Sequence, residues 1–302
     1  MLKHYEDIKL LTQNQIGVLY MVASVICFSI MDICVKWLDY YPLGQVLFLR
    51  FFIGFIPIFF IIPRNKIISF YKTSRPGLHA FRAISGALAI IALFYGLRKL
   101  PLADVVSLTF GGPIFVTIAS IFFLSERVGI KRWSAVFLGF IGMLLIVQPA
   151  FVDLNYYYIS PIIFCIFFAC VAISVRSLSK TEANYTIAFY FTFLCTIIGL
   201  CSIFFGDWIM PSKIDLLIFI VMGLCGSIAN LLLTQSYRLA EASLVTPIKY
   251  LSLVFAILFG FFIWSEAPKI LTLVGATLVI VSSLIIFIRE NQLKKQIITQ
   301  RP

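Results

Sequence analysis

The chain has 302 residues, of which 61% are hydrophobic and only 12% are charged, and its formal net charge is +11. A soluble domain of average composition carries roughly 25% charged residues, so this composition excludes an ordinary soluble domain and indicates a protein of the lipid bilayer. Basic residues of membrane proteins gather in cytoplasmic loops, and we therefore assign no nucleic-acid partner to the positive charge.

Cysteine and histidine are distributed in a way that argues against a metal centre. The seven cysteines all lie in apolar stretches without a CxxC pair, and histidine occurs only at His4 and His79. We expect the cysteines to pack as small apolar side chains, and we predict no metal site and no cofactor. The chain also has no HExxH, GxSxG or Walker A sequence. An embedded enzyme and an ATP-driven pump are therefore not expected.

Apolar runs long enough for a membrane-spanning helix, which needs about 20 residues, follow one another along the whole chain. Prolines and other helix breakers separate them. In chain order the ten runs cover 16–38, 43–63, 78–97, 102–124, 131–149, 157–178, 185–205, 213–237, 242–264 and 268–288. The sequence therefore predicts an all-α membrane protein with ten transmembrane helices.

Residues of the same type recur at a constant spacing of 140 positions. The pairs include Lys36 and Arg176, Gly86 and Gly226, and Glu126 and Glu266. We interpret the spacing as a duplication, with one repeat over 1–149 and the other over 150–302. Because each repeat has an odd number of helices, five, the second must enter the bilayer in the opposite direction. Two inverted repeats can alternate between inward-open and outward-open states, so the pattern indicates a transporter that works by alternating access.

The distribution of lysine and arginine predicts the orientation. With a cytoplasmic N-terminus, most of these residues fall in inner segments and few in outer ones, as the positive-inside rule requires. We therefore expect both termini in the cytoplasm.

Several short stretches follow a pattern known from one transporter family. They are 48–52 (FLRFF), 81–82 (FR), 100–103 (LPLA), Pro113, 125–127 (SER) with its echo at 265–266 (SE), and 138–142 (LGFIG). In combination, over nearly the whole chain, they resemble the EamA-type transporters of the drug/metabolite transporter superfamily. The stretch 246–251 (TPIKYL) is similar to a feature of relatives that move S-adenosylmethionine, riboflavin or other organic metabolites. The resemblance implies a bacterial inner-membrane carrier and leaves its substrate open.

Charged residues inside the predicted helices mark the candidate substrate site, because a charge in the bilayer is costly unless it faces water or a partner. They are Asp32, Arg50, Arg82 and Lys249. Three cations against one anion predict an anionic or zwitterionic substrate. The alternative for Arg50 is a buried structural pair, and for Arg82 it is extension to the membrane surface. Asp32 is the candidate for proton coupling, and its alternative is a pair with Lys36 one helical turn later.

Two prolines predict breaks in helices of the same site. Pro113 and Pro247 interrupt the fourth and ninth helices, which frees backbone carbonyls to face a cavity. The polar and aromatic residues assigned to this site are Tyr95, Tyr190, Asn230, Gln235, Tyr250 and Phe28. Glu126 and Glu266 end helices at opposite membrane faces, so we expect each to join a loop to a neighbouring helix end.

The predicted function is that of a secondary transporter for a small organic metabolite, such as an amino acid derivative or S-adenosylmethionine. The alternatives are a flavin or nucleoside-type carrier and an accessory protein of a lipid-linked flippase. The expected partners are a small-molecule substrate and the lipid bilayer. The sequence leaves open the oligomeric state, the coupling ion and the direction of transport.

Overall fold

A computed structural model describes residues 2–63, 66, 69–124, 130–153, 155–178, 181–206, 208–240 and 246–299. Over these residues the chain is helical and contains no strand, which confirms the all-α prediction. The α-helices are α1 Leu2–Trp37, α2 Leu43–Ile61, α3 Pro76–Lys99, α4 Leu102–Thr109, α5 Gly112–Leu124, α6 Ile130–Asp153, α7 Ile159–Leu178, α8 Asn184–Cys201, α9 Lys213–Leu239, α10 Leu251–Trp264 and α11 Ile270–Thr299. Short 3₁₀ helices cover Tyr156–Tyr158, Ser202–Phe204 and Thr246–Tyr250.

Seven helices in the described part of the chain are long and apolar enough to cross a bilayer. Three further apolar helices are shorter and cover Trp133–Val147, Ile248–Trp264 and Ile270–Ile286. Each of these ten segments overlaps one of the ten predicted apolar runs. The described part of the ninth run starts with the 3₁₀ helix Thr246–Tyr250 and continues as α10, and residues 242–245 of that run lie outside the described residues.

The fourth and ninth apolar runs are both interrupted. In the fourth, α4 ends at Thr109 and α5 begins at Gly112, with Pro113 as the second residue of α5. In the ninth, the 3₁₀ helix Thr246–Tyr250 contains Pro247 and precedes α10. Lys249 of this 3₁₀ helix lies 140 positions after Thr109, the last residue of α4. The two departures from α-helix therefore occur at equivalent positions of the 140-residue spacing.

The helices pack mainly across the two halves of the chain. The closest pairs are α1 with α9, α3 with α7, α2 with α8, and α6 with α11. When each helix is exchanged for its counterpart 140 residues away, the α1–α9 pair becomes the α7–α3 pair, and the α2–α8 and α6–α11 pairs become themselves. The smaller α5–α7 contact likewise becomes the α10–α1 contact. The packing is therefore the same from either half.

Glycines bring α6 and α11 into backbone contact. A Cβ atom on Gly142 would lie 2.7 Å from the carbonyl oxygen of Gly275, and a Cβ atom on Gly275 would lie 2.5 Å from the carbonyl oxygen of Gly142. Small residues allow such an approach between helices in a membrane. This contact fixes how closely the last helix of each half can pack.

Contacts between helix termini define two ends of the helical bundle. At one end, which we call the Lys36 end, α1 finishes and α4 and α7 begin, and the Tyr158 hydroxyl of the 3₁₀ turn before α7 donates to Asp104 of α4. At the opposite end, which we call the His79 end, α3 begins close to Glu182 in the loop between α7 and α8. Thus α1 ends where its counterpart α7 begins, and the two helices run in opposite directions.

Candidate substrate site

Arg50 lies in the middle part of α2 and is buried, with only 3% of its surface exposed. Its Nη2 atom is 3.7 Å from the Met31 sulfur, and its guanidinium carbon is 4.2 Å from the centre of the Phe51 ring. Its Nε atom has no hydrogen-bond partner among the described residues. Asp32 and Cys195 are close enough to influence its charge, but no described carboxylate lies within 4.0 Å of the Arg50 guanidinium. Arg50 is therefore a buried cation with unused donor capacity.

Arg82 on α3 is the second cation of this region. Its guanidinium carbon is 4.2 Å from the centre of the Phe191 ring, and its Nε and Nη1 atoms are buried without a hydrogen-bond partner among the described residues. Cys195 lies within electrostatic range of this guanidinium as well. The side chain is half-buried and lies along an aromatic ring of α8, with two of its three guanidinium nitrogens buried.

The two arginines meet at a contact between equivalent positions of the two halves. Phe51 and Phe191 are 140 positions apart, and their rings touch edge to face with centres 5.2 Å apart. Residues that touch their own counterpart lie where the two halves meet. Each arginine lies over one of these rings, so the guanidinium groups flank the centre of the molecule.

A repeated glycine leaves room for each guanidinium. A Cβ atom on Gly226 would lie 2.5 Å from Nη2 of Arg50, and a Cβ atom on Gly86 would lie 2.6 Å from Nη1 of Arg82. The two glycines are 140 positions apart, whereas the two arginines are not. The repeated scaffold thus provides two equivalent spaces, and non-equivalent residues place a cation in each.

Asp32 lies on α1 and lines a narrow crevice between α1, α4 and α10. The other lining residues are Ser29, Leu102, Val106, Ser252, Ala256 and Phe259. The crevice is too narrow for a substrate in this conformation. Asp32 does not pair with Lys36 here, because the Lys36 amino group binds other partners. The positive charge of Arg50 acts on the Asp32 carboxyl group.

The interruptions of the fourth and ninth runs also meet. Phe110 and Tyr250 are 140 positions apart, and their rings touch with centres 5.0 Å apart. Ser283 of α11 donates a hydrogen bond of 2.9 Å to the Phe110 carbonyl oxygen, which the break in the helix leaves free. Lys249 is partly buried beside this contact, within the 3₁₀ helix. Tyr250 and Lys249 therefore belong to one junction, as the sequence predicts from Pro247.

Several other predicted site residues lie away from the two arginines. The exposed Tyr95 ring contacts Tyr157 at the Lys36 end, with ring centres 5.6 Å apart. The Tyr190 hydroxyl donates to the Tyr71 carbonyl oxygen at the His79 end. Gln235 is exposed on α9. The structure does not bring these three residues together.

Two further predicted residues lie on α9 and α1. Asn230 is exposed on α9 and donates a hydrogen bond of 3.0 Å to the Gly226 carbonyl oxygen, one turn before it. Phe28 is half-buried and packs against the main apolar core. Of the nine predicted substrate-binding residues, Arg50 and Arg82 lie over the two rings of the Phe51–Phe191 contact.

An ion pair closes the Lys36 end. The Lys36 Nζ atom is 2.5 Å from Oε1 of Glu266 and donates to the Leu100 carbonyl oxygen at 2.7 Å. The Leu102 amide at the start of α4 donates to Oε2 of Glu266 at 3.0 Å. Ser265 ends α10 in the left-handed conformation with φ 56°, which turns the chain so that Glu266 meets α1 and α4. Glu266 joins neighbouring helix ends, as expected from the sequence.

Beside this ion pair lies an open cavity of about 490 Å³ at the surface of the Lys36 end. Its walls combine tryptophan rings with charged side chains. The lining residues are Lys36, Trp37, Asp39, Arg98, Lys99, Leu100, Pro101, Ile263, Trp264 and Glu266. The rings of Trp37 and Trp264 touch, with centres 6.2 Å apart. Lys36 and Glu266 both line this cavity, whereas Asp32 lines the separate crevice described above.

Sequence reasoning missed the aromatic and sulfur neighbours of the two arginines. Phe51, Phe191 and Cys195 are apolar or weakly polar residues in long apolar helices, and nothing in their local pattern distinguishes them. One available signal was that Phe51 and Phe191 are 140 positions apart and that Phe51 follows Arg50 directly. An aromatic residue that is repeated after 140 positions and that follows a cation in an apolar helix would have predicted the contact between the two halves.

Comparison with known proteins assigns the chain to a family. The model of the EamA-like transporter family matches residues 15–148 and again residues 155–288. The chain is 28% identical to a riboflavin transporter of Rhizobium johnstonii, over 93% of both chains. It is also 28% identical to an S-adenosylmethionine uptake transporter of Rickettsia prowazekii, over 91% of this chain and 94% of that one.

Two further similarities extend over most of the chain. The pseudopaline exporter CntI of Pseudomonas aeruginosa is 28% identical over 88% of this chain and 94% of its own. One solved crystal structure has the same fold, with a TM-score of 0.63 at 16% identity, over 92% of this chain and 98% of that one. Because the family model matches both halves of the chain, this multi-pass membrane protein belongs to the EamA-like transporter family.

Proposed function

We propose that the protein is a secondary transporter that moves a small anionic or zwitterionic organic metabolite across the bacterial inner membrane. The observation that carries the proposal is the pair of buried guanidinium groups, Arg50 and Arg82, with N–H donors that have no partner among the described residues. A buried cation is costly without a counter-charge. A substrate carboxylate or phosphate supplies that charge and fits the planar fork of arginine.

The proposed layout is ten spans in two inverted five-helix repeats, 1–149 and 150–302. Three observations support it. The helix pairs are unchanged when the two halves are exchanged, the rings of Phe51 and Phe191 touch, and so do those of Phe110 and Tyr250. Inverted repeats that meet at such contacts can rock against each other around a central site. In alternating access, each half would adopt the arrangement that the other half had before, which converts an inward-open state into an outward-open one.

The proposed orientation places the Lys36 end outside the cell and both termini in the cytoplasm. In this arrangement the Lys36–Glu266 ion pair closes the outer side of the site. Opening to the outside requires the pair to separate, which gives the outer cavity access to Asp32. We assign proton coupling to Asp32, because its charge faces Arg50, and substrate or ion contact to Lys249 and Tyr250 at the ninth-helix interruption.

A flavin is the second candidate substrate. The riboflavin transporter of Rhizobium johnstonii aligns over 93% of this chain, and the contact between Phe51 and Phe191 offers aromatic surface at the centre. Flat rings stack on such surfaces. Arginine would then bind a polar group of the flavin.

A thermal-shift screen tests the proposed substrate class. Purified protein is heated with amino acids, nucleosides, S-adenosylmethionine, riboflavin or organic acids, because a ligand that binds only the folded state raises the unfolding temperature. We expect an anionic or zwitterionic compound to stabilise the wild type and not Arg50→Ala. Arg75→Ala is the matched control, since Arg75 is exposed at the His79 end and bonds to Ser177. Equal stabilisation of the wild type and Arg50→Ala by every active compound contradicts the proposed site.

The ion pair at the Lys36 end leads to a separate prediction. Glu266→Gln leaves the Lys36 ammonium unpaired at 8% exposure, so states in which this end is open become more populated. We expect labelling of the buried Cys34 by a membrane-impermeant maleimide to become about tenfold faster, which corresponds to about 1.4 kcal/mol. All variants carry Cys201→Ser, because Cys201 is exposed and would itself react with the maleimide. If Cys34 is labelled no faster in Glu266→Gln than in the control Asp215→Asn, the ion pair does not hold the Lys36 end closed.

A further inference from the structure

His79 is a buried titratable residue that the proposed transport site does not use. It is the fourth residue of α3 and is 1% exposed, and neither ring nitrogen has a hydrogen-bond partner among the described residues. Imidazole is the side chain that normally changes charge near pH 6.5, within about the physiological range. A buried imidazole without a partner is costly in either charge state. Its surroundings therefore decide whether it holds a second proton.

Three groups from three elements face this imidazole. From the loop between α7 and α8, Oε1 of Glu182 is 4.0 Å from Nε2. From α8, the Tyr190 ring stacks on the imidazole with centres 4.6 Å apart, and its hydroxyl is already bonded to a backbone carbonyl. From α3 itself, Arg82 lies three residues further along the same helix face, and its charge acts on His79. One anion favours the imidazolium, and one cation opposes it.

Glu182 is held in position by the loop before α3. Its Oε1 atom accepts a hydrogen bond of 2.8 Å from Thr73 Oγ1 and one of 3.3 Å from the Ser74 amide. These bonds join the loop before α3 to the loop between α7 and α8. The carboxylate is therefore placed beside His79 without a direct hydrogen bond to it, at an Nε2–Oε1 distance of 4.0 Å.

We propose that His79 is a second protonation site of the carrier and that its protonation is coupled to anion binding at Arg82. This inference rests on the proposed function. The proton comes from water at the His79 end and binds Nε2, which then donates to Oε1 of Glu182 as an ion pair. No other bond changes.

The coupling follows from the charges. An anion on Arg82 neutralises the cation that opposes the imidazolium, so anion binding promotes uptake of the proton. By thermodynamic reciprocity, the proton strengthens anion binding by the same factor. His79 thus links its own protonation to the occupancy of Arg82, whereas Asp32 acts on Arg50.

The first test needs no substrate and uses the scarcity of histidine. The chain contains only His4 and His79, so His4→Gln leaves one imidazole to follow by NMR in histidine-labelled protein in lipid nanodiscs. We expect that resonance to titrate between about pH 5 and 8. Glu182→Gln removes the favourable carboxylate while keeping an acceptor for Thr73, and it moves the titration to lower pH. A resonance that does not titrate between about pH 5 and 8 overturns the proposal.

The coupling is tested in the same His4→Gln background. Arg82→Gln mimics neutralisation by a bound anion and moves the titration to higher pH, whereas Arg82→Lys keeps the charge and leaves it near the wild-type position. Asp32→Asn is the matched control and leaves the titration in place, because Asp32 faces Arg50. A titration unmoved by Arg82→Gln, or moved equally by Asp32→Asn, overturns the coupling. Since no ligand is added, these results are independent of whether the thermal-shift screen finds a substrate.

Discussion

We expect Arg50→Ala to lower the transport rate on the order of 100-fold while the protein still reaches the membrane. A charged group that bonds to a buried counter-charge contributes about 2–5 kcal/mol to binding, and each 1.4 kcal/mol is about a tenfold change. The side chain is buried, and its Nε atom has no hydrogen-bond partner in the part of the chain that the structure describes. Losing it removes the donor group that we assign to the substrate anion. Uptake into proteoliposomes of the compound found in the thermal-shift screen measures the effect.

The controls separate charge from shape at this position. Arg50→Lys keeps the charge without the planar fork and should transport at an intermediate rate. Arg75→Ala removes an exposed arginine and should transport like the wild type. The same loss is expected for Lys249→Ala if the ninth-helix interruption contacts substrate. Wild-type transport in both Arg50→Ala and Lys249→Ala refutes the assignment of the site.

We expect Gly142→Ala to lower the free energy of unfolding by about 1–3 kcal/mol, the usual cost of inserting a group into a well-packed interior. The added methyl group would lie 2.7 Å from the Gly275 carbonyl oxygen. That oxygen belongs to the backbone of α11, so the contact is relieved only by moving α6 and α11 apart. Thermal unfolding in detergent, followed by tryptophan fluorescence, measures the change.

Gly77→Ala is the matched control for this substitution. Gly77 lies in the first turn of α3, and a Cβ atom there would meet no atom within 4 Å. Alanine is the better helix former by about 1 kcal/mol, so this variant should be as stable as the wild type or more stable. If Gly142→Ala unfolds at the temperature of Gly77→Ala, the helices are not in backbone contact.

Local spacing predicted the helices better than it predicted the partners of their side chains. Lys36 lies one turn after Asp32 on the same helix, so the sequence offered that pair. In the structure its amino group instead binds Glu266, 230 residues away. The left-handed turn at Ser265 makes this possible, and a non-glycine residue in that conformation gives no sign of it in the sequence.

The predicted site residues show the same limit. Tyr95 and Tyr190 are polar residues in apolar helices, which made them candidates, but helix rotation places the first on the surface of the Lys36 end and the second beside His79. In the sequence, His79 is one of only two histidines, which argues against a metal site and predicts no other role. Its burial and its distance from Glu182 give it a possible function, and neither property can be obtained from its position near a helix start.

The sequence by itself determined the apolar helices, the 140-residue repeat, the prolines at 113 and 247, and the presence of the cations Arg50 and Arg82 within apolar runs. These features are local, because a helix in a bilayer satisfies its backbone hydrogen bonds within its own segment. Only the tertiary structure decided that Phe51 meets Phe191, that Glu266 closes on Lys36, and that Glu182 faces His79. Those contacts depend on the rotation and separation of packed helices, which side chains from distant segments set jointly.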